Sequence, residues 1–387
     1  MGFQKARRAH DAHLLIVLTK PFGATIIEAV PEAQIDAAEW DAFASAPGPA
    51  GFCGEAHLLQ TAAWAQLKCT FGWRVRRVAL RSAGRIVAGA QILVRRLPLA
   101  FGSIAYLPKG PLVNWQDAAQ TQALLHLCDA TARAENAIFL KLEPDLAHGA
   151  EPRQLLQALG WNASAQSLQP RRTLLVDIAC EPAAALARMK SKTRYNIGLA
   201  EKKGVVVRSA PLQNAGAELA AFWRLLQSTA ARDQFGIHSE RYYQTAYESF
   251  AATGRVALLL AEGAGGMLAG AMIFSSGARA WYLYGASDDL DRASMAPYAV
   301  QWAAIQWAQA RGCCTYDLWG VPDADETQLE TEFINRGDGL WPVYRFKRGF
   351  GGTLARNCGA WDHVYRPGAH FLYRTYLRLA QRHGLPG

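Results

Sequence analysis

The chain has 387 residues, of which 51% are hydrophobic and 19% are charged. This composition is ample for packed cores and excludes an intrinsically disordered protein, while the length favours two to three domains. Forty-one Lys and Arg residues against 32 Asp and Glu leave a formal charge of +9, which favours an anionic partner such as nucleic acid, a nucleotide or an anionic lipid.

The first 30 residues form an N-terminal extension. It could be a flexible basic arm, or its first residues could come from a start codon assigned too far upstream. Its apolar run, residues 14–18, is far shorter than the roughly 18–20 residues of a membrane span and lacks a signal-peptide cleavage pattern. The seven cysteines contain no C-x-x-C pair and the nine histidines no metal-binding spacing. We therefore expect reduced cysteines, a cytoplasmic protein and no metal site.

The two halves of the chain repeat each other. Val78-Ala79-Leu80 recurs as Val256-Ala257-Leu258, and the Ala88–Ile92 segment recurs as Ala269–Ile273, each about 180 residues later. Each half reads as strand, Gly-rich hairpin, strand, strand, helix, strand, with helices predicted over 118–135 and 297–311. The sequence thus predicts an α/β (α+β) protein with two tandem domains of the N-acyltransferase (GNAT-like) type.

In such a fold the third strand splays from its neighbour and the acyl donor lies in the gap. A coenzyme A enzyme needs a glycine-rich loop there, because the pyrophosphate is held by backbone N–H groups at a helix N-terminus. The second half supplies Arg292 but neither glycine, and Pro297 has no N–H. The stretch 114–117 of the first half also lacks the glycines of such a loop. We therefore do not expect coenzyme A as the donor.

Two basic segments could carry chemistry. Lys190, Lys192 and Arg194 would suit a phosphate backbone or a diphosphate, or they form an ordinary solvated helix surface. Lys347 follows a predicted aromatic strand over 341–344; it could stabilise a developing oxyanion, or its ammonium group could simply extend into solvent.

Three further features leave their interpretation open. The Gly349–Gly352 run could cradle a phosphate or form a tight turn. Asp317 and the acidic stretch 323–326 could hold a general base or a metal, or lie on a solvated loop. The chain contains no G-x-S-x-G sequence, so a serine hydrolase is not supported.

Five segments resemble the Fem-type (FemABX) aminoacyltransferases that build peptidoglycan interpeptide bridges. They are Leu59–Trp64 with Lys68 and Gly72-Trp73; Tyr106–Pro111; Lys190–Ile197; Thr229–Phe235 with Tyr242-Tyr243; and Ala296–Tyr298 running through Tyr316–Gly320 to Tyr344–Lys347. The resemblance covers about residues 35–375. Between Ala221 and Phe250 there is no room for the long helical-hairpin arm of some members, which indicates the compact form.

The resemblance implies a first GNAT-like domain over 31–178, completed by 359–387, and a second over 179–358. It implies transfer of an amino acid from aminoacyl-tRNA, a co-substrate rather than a cofactor, to a peptidoglycan precursor, either UDP-MurNAc-pentapeptide or lipid II. It leaves room for transient contact with the inner membrane surface and implies no obligate protein partner. No basic amphipathic helix stands out in the sequence to argue for membrane attachment.

Site residues follow from the same resemblance. Lys347 and Phe346 look like the family's catalytic pair, in which the lysine stabilises the tetrahedral intermediate and the phenylalanine orients the attacking amine. The acceptor would be bound by Lys68, Arg232 and Tyr298, together with Thr229 and Tyr243. Lys190, Lys192 and Arg194 would contact tRNA or phosphate.

Two other functions stay open at this point. One is an N-acyltransferase of the same fold that uses another donor, and RNase sensitivity of the activity would separate it from the first. The other is an inactive tandem module that binds wall precursors or RNA, which would bind without turnover. The sequence does not indicate which amino acid is transferred.

Overall fold

The computed structural model describes residues 14–20, 23–31, 35–46, 57–98, 101–289 and 291–382. The chain divides into two compact units. Unit 1 contains the residues up to Leu168 and those from Asn357 onward, and unit 2 is the continuous segment Gln169–Arg356. Strands and helices are numbered below in chain order across both units.

Unit 1 is an eight-stranded sheet with helices packed on it. Its strands are β1 (Leu14–Lys20), β2 (Gly23–Pro31), β3 (Arg74–Ser82), β4 (Arg85–Arg96), β5 (Ser103–Pro108), β6 (Ala137–Glu143), β7 (Asn162–Ala163) and β15 (Trp361–Val364). Its helices are α1 (Ala37–Ser45), α2 (Ala62–Thr70), α3 (Ala118–Ala134), α4 (Ala150–Ala158) and α12 (Pro367–Arg382). The strand order is β1-β2-β3-β4-β5-β6-β15-β7, and only β5 and β6 are paired in parallel.

Unit 2 is built on a seven-stranded sheet of order β14-β8-β13-β12-β11-β10-β9. Its strands are β8 (Arg172–Asp177), β9 (Val206–Ser209), β10 (Val256–Gly263), β11 (Gly266–Ser276), β12 (Arg279–Ser287), β13 (Thr315–Val321) and β14 (Thr353–Arg356). Its helices are α5 (Pro182–Arg188), α6 (Ser191–Lys202), α7 (Gly216–Asp233), α8 (Glu240–Ala251), α9 (Ala296–Gln309), α10 (Glu326–Glu332) and α11 (Trp341–Lys347). Again one pair, β12 with β13, is parallel.

The predicted repeat is present in both units. Unit 1 runs β3-β4-β5-α3-β6 and unit 2 runs β10-β11-β12-α9-β13, which confirms the strand and helix order read from the sequence. The hairpin between β3 and β4 turns at Ala83 and Gly84, whose φ angles are 48° and 75°, as a two-residue hairpin requires. Helix α9 carries Pro297 in its first turn, where a missing N–H is harmless.

Each unit has its own core around its central helix. In unit 1 Leu124 and Cys128 of α3 are fully buried with Ile92 of β4. In unit 2 Ala304 and Ile305 of α9 are fully buried in a separate cluster of apolar side chains. Helices α7 and α8 belong to unit 2 and make up most of residues 221–250. This is the stretch in which the sequence predicted no room for a long helical-hairpin arm.

Two sequence predictions need correction. Residues 14–20 and 23–31 form β1 and β2, which extend the sheet of unit 1 through pairs such as Ile16 with Ile27 and Val30 with Ala79. A flexible arm is therefore wrong for these residues, because their backbones pair as strands of the sheet; residues 1–13 lie outside the described part of the chain. The boundary predicted at 178 is also displaced, since β8 pairs with β13 and β14 of unit 2.

Within the described residues, no helix combines the length and the apolar character needed to cross a bilayer.

Candidate active site

Lys347 is the last residue of α11 and its side chain is 5% exposed. Its Nζ donates a hydrogen bond to the backbone oxygen of Gly320 at 2.8 Å. It also lies 5.6 Å from the centroid of the Tyr282 ring. Gly320 belongs to β13 and Tyr282 to β12, so the amino group lies between the two parallel strands of unit 2.

The segment that carries Lys347 is helical, and the prediction of a strand over 341–344 is wrong. Trp341, Tyr344 and Lys347 are the buried residues of this helix, and a spacing of three marks one helix face rather than one strand face. Pro342 stands in the first turn, where proline is tolerated. The aromatic side chains that favoured a strand serve instead to pack α11 on the core of unit 2.

Strands β12 and β13 part soon after they begin. Their pairing joins 279–281 with 315–317; beyond that, β12 continues against β11 as far as Ser287 and β13 against β8 as far as Val321. In unit 1 the corresponding strands stay paired from Ser103 to Pro108. The gap expected of an N-acyltransferase domain is thus present in unit 2, and the Lys347 amino group lies in it.

A buried ionic cluster fixes the edge of this gap. Asp317 is fully buried, accepts hydrogen bonds from the Thr173 hydroxyl and the Arg279 guanidinium, and accepts a third from the Trp319 backbone N–H at 2.8 Å. Trp319 has a φ of 61°, a left-handed conformation that a bulky residue adopts only when its surroundings impose it. Asp317 therefore holds the irregular stretch of β13 that presents the Gly320 oxygen to Lys347.

Burial controls the charge of Lys347. Removal from water lowers the pKa of its amino group from 10.5 to about 7, while the nearby carboxylate of Asp317 acts in the opposite direction. At neutral pH both the ammonium and the amine are accordingly populated. Such a group can stabilise a developing negative charge and can also exchange a proton with a reacting atom.

Besides Tyr282, three aromatic rings pack together in the same core. The rings of Tyr298 and Phe346 are 5.1 Å apart edge to face, and Phe350 lies 5.9 Å from Tyr298 and 5.2 Å from Phe346. Burial of the Tyr282 hydroxyl raises its pKa to about 12, so it stays protonated at neutral pH. A side chain at Gly285 would overlap that hydroxyl, which explains glycine at this position of β12.

Three predicted acceptor-binding residues lie along the same strand. The Thr229 hydroxyl and the Arg232 guanidinium both donate to the backbone oxygen of Ser287, at 3.1 and 3.0 Å. The ring of Tyr243 meets that of Tyr284 edge to face at 5.0 Å. Thr229, Arg232 and Tyr243 thus all contact β12, and Tyr284 lies on the opposite face of the sheet from Tyr282, because their partners on β11 are the adjacent residues Met272 and Ile273.

Arg232 is already paired with acidic groups. It forms ion pairs with Asp233 at 2.7 Å and with Asp289 at 2.5 Å. An incoming phosphate would therefore replace or join existing partners rather than meet an isolated cation.

Lys68 belongs to unit 1. It lies in the last turn of α2, half-buried, with its Nζ 4.8 Å from the centroid of the Trp64 ring. The other predicted acceptor-binding residues belong to unit 2.

The predicted phosphate-binding cations have different environments. Lys190 precedes α6, donates its backbone N–H to the Gly349 oxygen at 2.9 Å, and has its Nζ 3.8 Å from Glu330. Lys192 is exposed. Arg194 is exposed, and its guanidinium donates hydrogen bonds to the backbone oxygens of Met189 and Ala187 at the end of α5.

The glycine run after Lys347 serves packing. A side chain at Gly349 would overlap the Thr193 hydroxyl, and one at Gly352 would overlap the backbone oxygen of Leu175. Gly351 and Gly352 also have φ angles of 81° and 96°. Of the two interpretations left open, the structure supports the tight turn.

The acidic residues are likewise accounted for. Asp317 has its oxygens occupied by Arg279, Thr173 and Trp319, which argues against a general base. Asp323 pairs with Arg171 and Arg356. Asp325 accepts from the Gln328 backbone N–H at 2.8 Å and caps α10.

Sequence reasoning missed Glu330, which links three elements. Its carboxylate accepts from the Tyr344 hydroxyl at 2.6 Å and from two nitrogens of Arg348, and it lies near Lys190. These partners lower its pKa to about 2. No local sequence pattern indicates this role, because its partners come from separate segments of the chain; Tyr282 was missed for the same reason.

A model of the FemAB family matches residues 36–152, 156–264 and 261–377. The lipid II:glycine glycyltransferase of Staphylococcus saprophyticus is 25% identical over 380 aligned residues, which cover 79% of this chain and 88% of the relative. The protein of the same name from Staphylococcus aureus strain MRSA252 is 25% identical over 385 residues, with the same coverage.

Solved structures show the same fold. The crystal structure of FemX matches with a TM-score of 0.77 at 22% identity, over 89% of this chain and 99% of that one. A tandem GNAT protein from the clavulanic acid biosynthesis pathway matches with a TM-score of 0.53 at 13% identity, over 87% and 98%. Both units therefore have the GNAT-like fold. Since the family model spans most of the sequence, the chain belongs to the FemAB family.

Proposed function

We propose that this protein transfers an amino acid from aminoacyl-tRNA to an amino group on the peptide of a peptidoglycan precursor. The acceptor is either UDP-MurNAc-pentapeptide or lipid II, and the product is part of an interpeptide bridge. The observation that carries the proposal is the buried Lys347 amino group in the gap between β12 and β13, with a pKa of about 7. The names of the relatives, lipid II:glycine glycyltransferases, support the reaction class.

Lys347 acts on charge during the transfer. The acceptor amine attacks the ester carbonyl carbon of the aminoacyl-tRNA, a C–N bond forms, and the carbonyl electron pair moves to oxygen. The Lys347 ammonium stabilises that oxyanion. The intermediate collapses with cleavage of the ester C–O bond; the Lys347 ammonium gives a proton to the departing ribose oxygen, and the Lys347 amine so formed takes the proton lost by the attacking nitrogen. The ester is already activated, so positioning and charge stabilisation suffice without a separate protein base.

Phe346 shapes the reacting centre. Its half-buried ring packs against Tyr298 and Phe350, so its position is fixed by two neighbours. In this proposal the ring orients the attacking amine beside Lys347 and keeps bulk water from the ester.

In this proposal the acceptor is bound by side chains of unit 2. Thr229, Arg232 and Tyr243 lie along β12, and Tyr298 lies at the start of α9. Lys68, at the end of α2 in unit 1, is proposed from the resemblance alone to bind a diphosphate or a sugar.

The tRNA backbone contacts the start of α6. Lys190 and Lys192 are exposed there, and Lys190 is hydrogen-bonded through its backbone to Gly349, two residues after Lys347. We assign Arg194 a positioning role in this surface, because its guanidinium holds the backbone of the preceding turn.

The test is a transfer assay with bulk tRNA charged with labelled amino acids, in the presence of UDP-MurNAc-pentapeptide or lipid II. We expect label on the acceptor, loss of that label after RNase treatment, and a fall of 100-fold or more (on the order of one lost oxyanion donor) in Lys347→Met. Methionine keeps the apolar stem and removes the charge.

The matched control is Lys141→Met, which removes another buried lysine, one that pairs with Asp362 at 2.7 Å in unit 1. It should lower thermal stability and leave kcat close to that of the wild type. Transfer that survives RNase would point to a different acyl donor. Tight binding of precursor with no transfer to either acceptor would point to an inactive binding module.

A further inference from the structure

Helix α12 is attached to unit 1 by one face. The rings of His370 and Tyr373 lie 4.8 and 5.7 Å from the ring of Phe139 on β6. Both side chains are only partly exposed. These contacts fix which side of α12 faces the sheet and which side faces away from it.

The opposite face of α12 is apolar and exposed. Phe371 is 68% exposed, Leu372 56% and Tyr376 59%, and Leu379 of the same helix is 50% exposed. At 100° per residue these four positions lie within an arc of about 140°. Four of the eleven large hydrophobic side chains exposed among the described residues thus fall on one helix.

One flank of this face is cationic. Arg374 and Arg378 lie beside the apolar arc, and the helix sequence Pro367–Arg382 contains no acidic residue. In the ranges that the structure describes, neither arginine pairs with a carboxylate. An apolar arc beside a row of arginines, with aromatic rings among the apolar side chains, is the pattern of helices that lie in the plane of a membrane interface.

We propose that α12 docks this protein on the surface of an anionic phospholipid bilayer. Phe371, Leu372 and Tyr376 enter the boundary between headgroups and acyl chains, and Arg374 and Arg378 contact lipid phosphates. Complementary charge favours an anionic bilayer over other partners of this face. The arginines match an anionic surface, and the formal charge of +9 attracts the whole molecule to it. The sequence concealed this face, since its residues alternate with His370 and Tyr373, which pack on the sheet.

The proposal that the protein docks on a bilayer is argued from α12 alone. The benefit of docking to the reaction rests on the proposed function. A lipid-linked acceptor lies at such a surface, so docking would raise the local concentration of lipid II and leave a water-soluble acceptor unaffected.

The first experiment is co-sedimentation of the full-length protein with vesicles. One set contains phosphatidylglycerol and phosphatidylcholine in equal parts, and the other contains phosphatidylcholine alone. We expect binding to the anionic vesicles that weakens as salt is raised. The variant Phe371→Ser/Leu372→Ser/Tyr376→Ser should bind about tenfold more weakly, and Arg374→Gln/Arg378→Gln should lose the preference for anionic lipid.

The control variant is Val206→Ser/Ile334→Ser, which removes two side chains that are each 66% exposed on unit 2. It should bind vesicles as the wild type does. All the substituted side chains are at the surface, so unchanged thermal melting would verify that the variants fold. Failure of the wild type to bind anionic vesicles, or equal losses in the control, would overturn the proposal.

Light scattering separates the main alternative occupant. The wild type could prove to be a dimer that the triple serine variant converts to a monomer without any change in vesicle binding. In that case the apolar face of α12 contacts a second copy of the protein, and the proposal is wrong. Transfer assays then test the use of docking: we expect the triple serine variant to lose activity toward lipid II in vesicles and to keep activity toward UDP-MurNAc-pentapeptide. Vesicle binding without transfer to either acceptor would leave the docking intact and refute the proposed function.

Discussion

At the scale of single residues, the burial of Lys347 makes stability depend on pH. The pKa of its amino group is about 7 in the folded protein, against 10.5 for an ordinary lysine. Above pH 10.5 the group is neutral in both states. As the pH falls toward 7 the unfolded chain binds the proton first, so the folded state loses stability, and below 7 the loss is complete, at most about 5 kcal/mol.

This gives a test that needs no substrate. The free energy of unfolding of the wild type, minus that of Lys347→Met, should rise with pH between about 7 and 10, by up to about 1.4 kcal/mol per pH unit. Denaturant titrations at several pH values would measure it. A difference that does not vary with pH over this window would show that Lys347 keeps an ordinary pKa.

Asp317 offers a second test at the same scale. Asp317→Asn removes the carboxylate that opposes the effect of burial on Lys347, so the pKa of the lysine should fall below about 7. It also leaves the Arg279 guanidinium without its buried partner, at a cost of about 3–5 kcal/mol. NMR of protein with ¹³C-labelled lysine would follow the titration directly.

Thr173→Val is the control for that variant. It removes one hydrogen bond to Asp317 and keeps the charge, so the pKa of Lys347 should move little. Equal shifts in both variants would mean that the geometry of β13, not the charge of Asp317, controls the amino group.

At the scale of secondary structure, glycines in neighbouring elements should respond in opposite ways. Gly198 is in the middle of α6 with open space around it, so Gly198→Ala should stabilise the protein by about 0.5–1 kcal/mol. Gly352 has a φ of 96° and faces the Leu175 backbone oxygen, so Gly352→Ala should destabilise it by about 2 kcal/mol or more. Thermal melts of the two variants would compare them, and a gain of stability in Gly352→Ala would contradict the packing described for the turn.

Local patterns predicted most elements and missed those in which tertiary contacts decide. The helix from Ala118 has a capping aspartate and apolar residues at helical spacing, and the hairpin at Gly84 has its turn residues. The helix at 341–347 is only seven residues long and rich in aromatic side chains. In so short a segment the aromatic composition favours a strand, and the spacing of apolar residues cannot distinguish a helix from a strand. Only the packing of the segment in unit 2 reveals the helix.

At the scale of the whole molecule, the positive charge leads to a prediction about salt. Lys190→Gln/Lys192→Gln removes two cations from the proposed tRNA surface, so the slope of log affinity against log salt should decrease by about 1.5 to 2. Filter binding with aminoacyl-tRNA at several salt concentrations would measure the slopes. A matched double substitution at Arg153 and Arg241, to glutamine, should leave the slope nearly unchanged; an equal decrease would show that total charge alone determines the affinity.

The candidate site could be predicted in part. Lys347 and Phe346 follow from the resemblance of a short segment, and the structure brings Lys347 to the gap of unit 2. The partners that give Lys347 its properties, Gly320 and Tyr282, are 27 and 65 positions away in the sequence. No local pattern encodes contacts between residues so far apart. The absence of a gap between β5 and β6 of unit 1 likewise depends on strand pairing across the sheet.

The return of the chain from unit 2 to unit 1 bears on how the protein is made. Strand β15 pairs with β6 and β7, and Trp361 is 1% exposed in the core of unit 1. During translation the ribosome must therefore synthesise all of unit 2 before unit 1 receives its last strand. Unit 2 is one continuous segment and can fold first, so the part of the chain that leaves the ribosome earliest is completed last. A chain truncated after Arg356 and released from the ribosome should then contain a protease-resistant unit 2 and a unit 1 that is still cleaved.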